Sequence, residues 1–229
     1  FGIGQPPTGS KDPFALRRAS LAVLRILVEK RLDLDLMECL DQAVAQYPAS
    51  TLAAGTAEQV FNYMIERFRA WYEEENIPAE VFKSVSARNL SRPLDIQRRV
   101  EAVYAFSLLP QAQALAAANK RVSNILGKLD SAHSFGNVSA NLLVEPQEKK
   151  LLGCLEDLSN ICRKHLEHDE YTEALSCLAA LREPVDAFFD DVMVNVEDAP
   201  LRDNRLNLLK RLRDLFLEVA DISLLAVSK

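Results

Sequence analysis

Apolar residues recur at every third or fourth position along most of this chain and nowhere alternate in the period of two that marks a half-buried strand. The clearest row is Val60, Phe61, Met64, Ile65, Phe68, Trp71 and Tyr72. It predicts a helix over about 57–74 with a core-facing stripe, and Glu73 to Glu75 turned to water at its end. Asp12 followed by Pro13 reads as an N-cap and first helical residue. The helix behind them is apolar on most sides from Ala19 to Val28, which predicts burial and leaves Arg17, Arg18 and Arg25 needing partners or an exposed strip. Further helices are predicted over about 34–46, 78–88, 93–108, 147–165, 171–181 and 184–191. The last starts near Pro200, with Leu201, Leu208, Leu212, Leu215, Val219 and Ile222 forming a packed seam.

Two segments break this periodicity. "NLSRPLD", Asn89 to Asp95, is the predicted boundary between two helical modules, 1–92 and 93–229. "DSAHSFGNVSANLLVEPQ", from Asp130, is the longest irregular stretch, and its Ser, Asn, Gly and His predict a mobile loop. The fold class is therefore all-α, two antiparallel helical modules.

Composition agrees. Among 229 residues there are only 7 glycines, and Ala, Leu, Arg and Glu dominate. No apolar run is long enough to span a bilayer and no signal-peptide pattern opens the chain, so a soluble protein without a membrane partner is expected. Phe1 in the place of an initiator methionine is read as the sign of a piece of something longer. Cys39, Cys154, Cys162 and Cys177 lack C-x-x-C spacing and read as small core residues, with no metal site.

Charge changes the picture at one place. The formal net charge is -6, so bulk charge does not imply a nucleic-acid partner. Yet no Asp or Glu occurs from Ala102 to Leu129, and "AAANKRVSNILGK" carries three cations. At about a hundred degrees per residue, Leu115, Ala118, Val122, Ile125, Leu126 and Leu129 share one face. Lys120, Asn124 and Lys128 share the other, with Arg121 at its flank and Asn119 at the edge of the apolar face as a buried hydrogen-bonding residue. Ammonium and guanidinium heads beside an amide suit phosphates and base edges; a merely solvated helix face is the other reading of the pattern, weakened by the absence of the interleaved acids such a face carries for local pairing. Two weaker basic strips are Arg202, Arg205, Lys210, Arg211 and Arg213, and Arg88, Arg92, Arg98 and Arg99.

Catalytic patterns are lacking. There is no G-x-x-x-x-G-K-[ST], G-x-S-x-G or H-E-x-x-H. His165 and His168 sit where they would cap a helix C-terminus. His168 to Glu170 is too little for a metal phosphohydrolase, and Asp190 and Asp191 diverge on a helix.

Longer strings add a resemblance. "GQPPTGSKDPFALRRA", "RPLDIQRRVEAVYAF", "LAAANKRVSNILGK" and "DAFFDDVMVNVEDAPLRDNRLNLLKRLRDLFLEVADISLL" resemble the C-terminal third of the β subunits of bacterial-type glycyl-tRNA synthetases, over Gly4 to Leu225. The resemblance implies that residues 1–92 end an HD-like helical domain and that 93–229 form an anticodon-binding bundle similar to the DALR domain of arginyl-tRNA synthetase. It implies an α2β2 ligase in the cytoplasm, or an organelle stroma in a plant. The α subunit would activate glycine with ATP and Mg2+, and this segment would be non-catalytic, hold no cofactor or metal, and bind glycine tRNA. Lys120, Arg121, Asn124 and Lys128 would face that RNA, with Arg202 and Arg205 next. Asp12 would stand where the HD family has a metal ligand, but the other ligands are absent and N-capping accounts for it. A helical scaffold docking the α subunit without touching RNA, and an HD-type phosphohydrolase remnant, are the other readings.

Overall fold

The computed structural model describes residues 1–8, 11–48, 51–130 and 133–226. The opening loop's Gly9 and Ser10, and Ser131 and Ala132 of the long loop, lie outside them. Helices α1 (Leu16–Glu29), α2 (Leu36–Ala45), α3 (Thr56–Glu74) and α4 (Ala79–Ser86) are followed by α5 (Pro93–Ser107) and α6 (Ala112–Leu126). Then come α7 (Pro146–Leu166), α8 (Tyr171–Leu178), α9 (Arg182–Asp191) and α10 (Ala199–Leu217). Short 3-10 turns occupy Ala140–Leu142, Ala179–Leu181 and Ile222–Leu225. Among the described residues β pairing is limited to one isolated bridge, Thr8 to Lys11. None of these helices is long and apolar enough to cross a membrane.

The α3 stripe does what its spacing predicts. Met64, Phe68, Trp71 and Tyr72 are buried, and Phe68 stacks on Tyr72 with centroids 4.8 Å apart. Phe82 of α4 closes against both rings, at 6.3 Å and 5.5 Å. Tyr63 Oη and Arg67 Nε on the same helix are buried without a hydrogen-bond partner; the guanidinium lies 5.3 Å from the Tyr63 ring instead. Helix α1 departs from expectation. It buries Ser20, Leu24 and Leu27 against α3 and α5 but leaves Val23 and Ile26 exposed, so it is a one-sided surface helix. Its start is also shifted. Pro13 lies in a turn and Ala15 holds a left-handed φ of 54° at the N-cap position. The two oxygens of Asp12 accept the Leu16 and Arg17 N–H groups at 2.8 and 3.0 Å, so the residue caps the helix from four positions upstream. Those bonds, that from Arg17 first, hold its carboxyl below the usual aspartate range.

Helix α5 is the shared element. It packs on α1 and α4 on one side and on α8 on the other, and Phe106 meets Phe216 of α10 at 6.3 Å. Its Arg99, expected to be a surface cation, is spent inside. The guanidinium donates to the Glu218 and Val219 carbonyls at 2.6 and 2.8 Å, satisfying the end of α10. It also pairs with Asp95 at 2.9 Å and lies 4.2 Å from the Tyr171 ring. Arg98 and Arg92 of the same strip pair with Asp169 and Asp33. The anticipated basic patch at the junction is thus largely neutralised.

The junction itself is anchored. Asp35 caps α2 by accepting the Met37 and Glu38 N–H groups at 2.9 and 3.1 Å, and its second oxygen accepts the Ser91 hydroxyl at 2.5 Å. The Ser91 bond, then the backbone ones, depress the Asp35 carboxyl below 3.8. A depressed carboxyl stabilises the fold fully above its unfolded value and loses that contribution as pH falls through the folded one. The stability gap between the wild type and Asp35→Ala, followed by urea unfolding, should therefore be wide at neutral pH and close as the solution is acidified below about 3.8. A gap that stays constant down to pH ~2 refutes this linkage.

Candidate nucleic-acid interface

Helix α6 carries no acid, and its buried side is Ala112, Leu115, Ala116, Ala118, Asn119 and Val122. That side packs on the terminal 3-10 turn, α9 and α10. Asn119 is 2% exposed and donates to the Leu115 carbonyl at 3.0 Å, an internal role as its edge position foretold. Ser123 accepts from Arg213 Nε at 2.9 Å, a tie that fixes α6 against α10.

The opposite side is open. Lys120, Arg121, Asn124 and Lys128 line one shallow groove of about 430 Å³ together with Ala117, Ile125 and Ala226. Asn124 and Lys128 are exposed, and Lys120 is half-buried. Arg121 is exposed but not loose. Its guanidinium carbon lies 4.2 Å from the Phe189 ring of α9, and that ring meets Phe188 edge-on at 5.5 Å. A guanidinium held on an aromatic face loses little freedom on binding and keeps in-plane N–H donors for an anion or a base. Phe189 was not foreseen as part of this site, because "DAFFDD" shows two adjacent rings and only the packing of α9 on α6 says which one meets Arg121.

Arg202 and Arg205 are not brought to this groove. Arg202 stands in the first turn of α10, 38% exposed, with its Nη1 3.4 Å from the Val196 carbonyl. Arg205 is a correction to the sequence reading. Its side chain is 5% exposed, its Nε meets Glu148 Oε1 at 2.6 Å and its Nη1 donates to the Met193 carbonyl at 2.7 Å. Glu148, 0% exposed, also accepts the Glu145 N–H at 2.7 Å and so closes the capping box of α7. Arg205 has no surface left for a phosphate. Lys210 and Arg211 pair with Asp214 and Glu156.

The long loop is also corrected. Its described part is irregular but pinned to α10. Asn207 accepts the Gly136 N–H at 3.0 Å, while Asn204 accepts the Ser139 N–H at 2.7 Å and donates to the Ser139 carbonyl at 3.0 Å. Leu143 is buried.

Among the described residues no catalytic constellation stands out. His168 caps α7 through the Lys164 carbonyl at 2.8 Å, which raises its pKa, and His165 pairs with Glu170 at 2.7 Å. Cys162 is buried, which pushes its thiol up to about 11, whereas Cys39 is exposed and no part of the core. Among the described residues no cluster of three or more His, Cys, Asp or Glu side chains is placed to hold a metal ion.

The family model described as "Glycyl-tRNA synthetase beta subunit" matches residues 1–87, and that of the "DALR anticodon binding domain" matches 115–223, which includes all of the α6 groove except Ala226. Proteins named glycine–tRNA ligase beta subunit are 56% identical over 225 residues in Pseudomonas aeruginosa, 52% over 228 in Hahella chejuensis and 53% over 225 in Marinobacter nauticus. Each alignment covers 98% of this chain. The chain belongs to the glycyl-tRNA synthetase β-subunit family. It spans about a third of the length of the relatives it matches, 32–33%. Of the cations noted in this family member, those on α6 form a shared groove and Arg205 does not.

That division can be measured. Arg205→Ala leaves the Glu148 carboxylate buried without its cation and should cost about 3–5 kcal/mol of stability, read by urea unfolding. Arg202→Ala removes a partly exposed side chain and should leave the unfolding free energy within about 0.5 kcal/mol of wild type. Equal, small effects of the two changes would mean that Arg205 is solvated after all.

Proposed function

We propose that this chain is the tRNA-binding end of a glycine–tRNA ligase β subunit, and that it grips the anticodon stem-loop of glycine tRNA along α6. The observation that carries the reading is the convergence of Lys120, Arg121, Asn124 and Lys128 on one open groove within residues that match an anticodon-binding domain. The cations meet backbone phosphates, Arg121 offers a stacked plane, and Asn124 offers a donor and an acceptor to the edge of an unstacked base. Arg202 serves as an outlying phosphate contact. Glycine activation with ATP and Mg2+ belongs to an α subunit in an α2β2 enzyme of the cytoplasm, and this segment contributes no cofactor to it.

A second reading has its own observation. Ile3, Phe14, Val23 and Ile26 are exposed apolar residues of the N-terminal part, which suits docking of the α subunit there. The two roles fall on different parts of the chain and separate experimentally. Lys120→Glu with Arg121→Glu should weaken binding of glycine tRNA to the complete enzyme. Single alanines at Lys120 or Arg121 should each reduce the slope of log K against log salt by roughly one counterion. Asn124→Ala should blur discrimination between anticodons and leave that slope alone. With an intact fold by circular dichroism, unchanged kcat/KM after the double change would reduce the groove to a solvated face. The chain alone should show no glycine-dependent ATP–pyrophosphate exchange; exchange free of α subunit would contradict its non-catalytic role.

A further inference from the structure

A second groove, built on α10 and outside the α6 site, brings an aromatic ring, amides and cations together. It encloses about 600 Å³ between the arch of residues 135–138 and α10, and Phe135, Asn137, Asn207, Lys210, Arg211 and Asp214 line it. Cavities of a few hundred cubic ångströms are the size that single small ligands occupy.

Its construction is unusual for a plain connection. A loop this long needs only to join α6 to α7, yet α10 devotes two amides to its backbone. Asn204, 2% exposed, bonds Ser139 twice, and Asn207 bonds the Gly136 N–H. These bonds fix the arch while leaving Asn137 exposed, and they engage Asn207 through its amide oxygen. A carbon added at Gly136 would sit 3.8 Å from the Asn207 amide nitrogen, an ordinary contact, so there is room beside the helix at this point of the arch. Phe135 is half-buried, braced edge-on by His133 at 4.8 Å, with Lys210 Nζ 5.6 Å from its ring centroid. An aromatic ring, amide edges and cations in one groove are the groups that take a splayed-out nucleotide by its base face, base edge and phosphate. Lys210 and Arg211 are paired with Asp214 and Glu156, but these are exposed pairs. Such pairs are weak enough for a phosphate to exchange into. The arch also lies close along the chain to the α6 site. Lys128 and His133 are five residues apart, which spans at most about 18 Å.

We infer that this groove holds one unpaired nucleotide of the RNA whose backbone runs along α6, with its base stacked on Phe135. The inference rests on the RNA-binding reading proposed above. It extends that reading to residues outside the basic helix and assigns the loop a role in recognition.

The test uses the complete enzyme and glycine tRNA, with Kd measured over a series of salt concentrations. Phe135→Leu keeps the apolar packing and removes the ring. It should weaken binding about tenfold, the scale of one lost base–aromatic stack, with the salt slope unchanged. Phe135→Tyr should restore binding, and Lys210→Gln should lower the slope by about one. Unchanged affinity in Phe135→Leu, alongside weakened affinity in the Lys120→Glu, Arg121→Glu double variant, overturns the groove and leaves the α6 reading standing. Unchanged affinity in both sets overturns the two together. Equal weakening by Leu and Tyr assigns the effect to packing, and loss of α-subunit association with unchanged tRNA affinity assigns the groove to a protein partner. Either result defeats the inference.

Discussion

The C-terminal half of the molecule is organised around one buried charge. Glu148 sits with no exposed surface at the first turn of α7, where it closes a capping box and meets Arg205 of α10 at 2.6 Å. Arg205 in turn holds the Met193 carbonyl in the segment between α9 and α10. Such a pair adds little net stability over apolar residues of the same volume, because both ions are stripped of water. Its effect is selective. A packing of α7 against α10 that parted the two ions would strand a bare charge in the interior, which favours the observed register of the two helices. From that register follow the positions of Asn204, one residue before Arg205, and Asn207, two after it, and hence the shape of the arch they clamp.

Electrostatics here is decided by which cations the fold consumes. Arg99 closes the carbonyl end of α10, Arg213 ties α10 to α6 and Asp221, and Arg205 neutralises Glu148. On α6 the sequence supplies no neighbouring carboxylate, and the stretch from Ala102 to Leu129 has none to offer. Lys120, Arg121 and Lys128 line an open groove there, in a chain whose formal charge is -6. Local composition matters more than bulk charge because, at physiological salt, exposed charges farther apart than about 8 Å are largely screened from one another.

Two features link the grooves to the frame that carries them. Arg121 is held by Phe189, so part of the α6 groove depends on the angle at which α9 crosses α6. Lys210 and Arg211 ride on α10, the same helix that Phe216 and Arg99 anchor to α5. Because α5 also packs on α1 and α4, the helices that carry the grooves and the N-terminal helices share one continuous apolar cluster.

The amino-acid sequence by itself determined the helices, the α3 core stripe, the inward turn of Asn119 and the family. These follow from periodicity, capping chemistry and long specific strings, all of which are local. It also marked the α6 face, since an absence of acids over a long stretch is visible without a fold. It misjudged α1, where an apolar run read as all-round burial left Val23 and Ile26 in the open, because burial depends on how many neighbours arrive and not on the residue type. It misassigned Arg205 for a related reason. A guanidinium looks the same in a string whether it meets solvent or a carboxylate from Glu148, 57 residues away. Only the tertiary structure could show that the loop after Asp130 is tied to α10, that Phe189 supports Arg121 and that Arg99 is structural. Each is a contact between residues distant in the chain, and such contacts leave no periodic trace in the sequence.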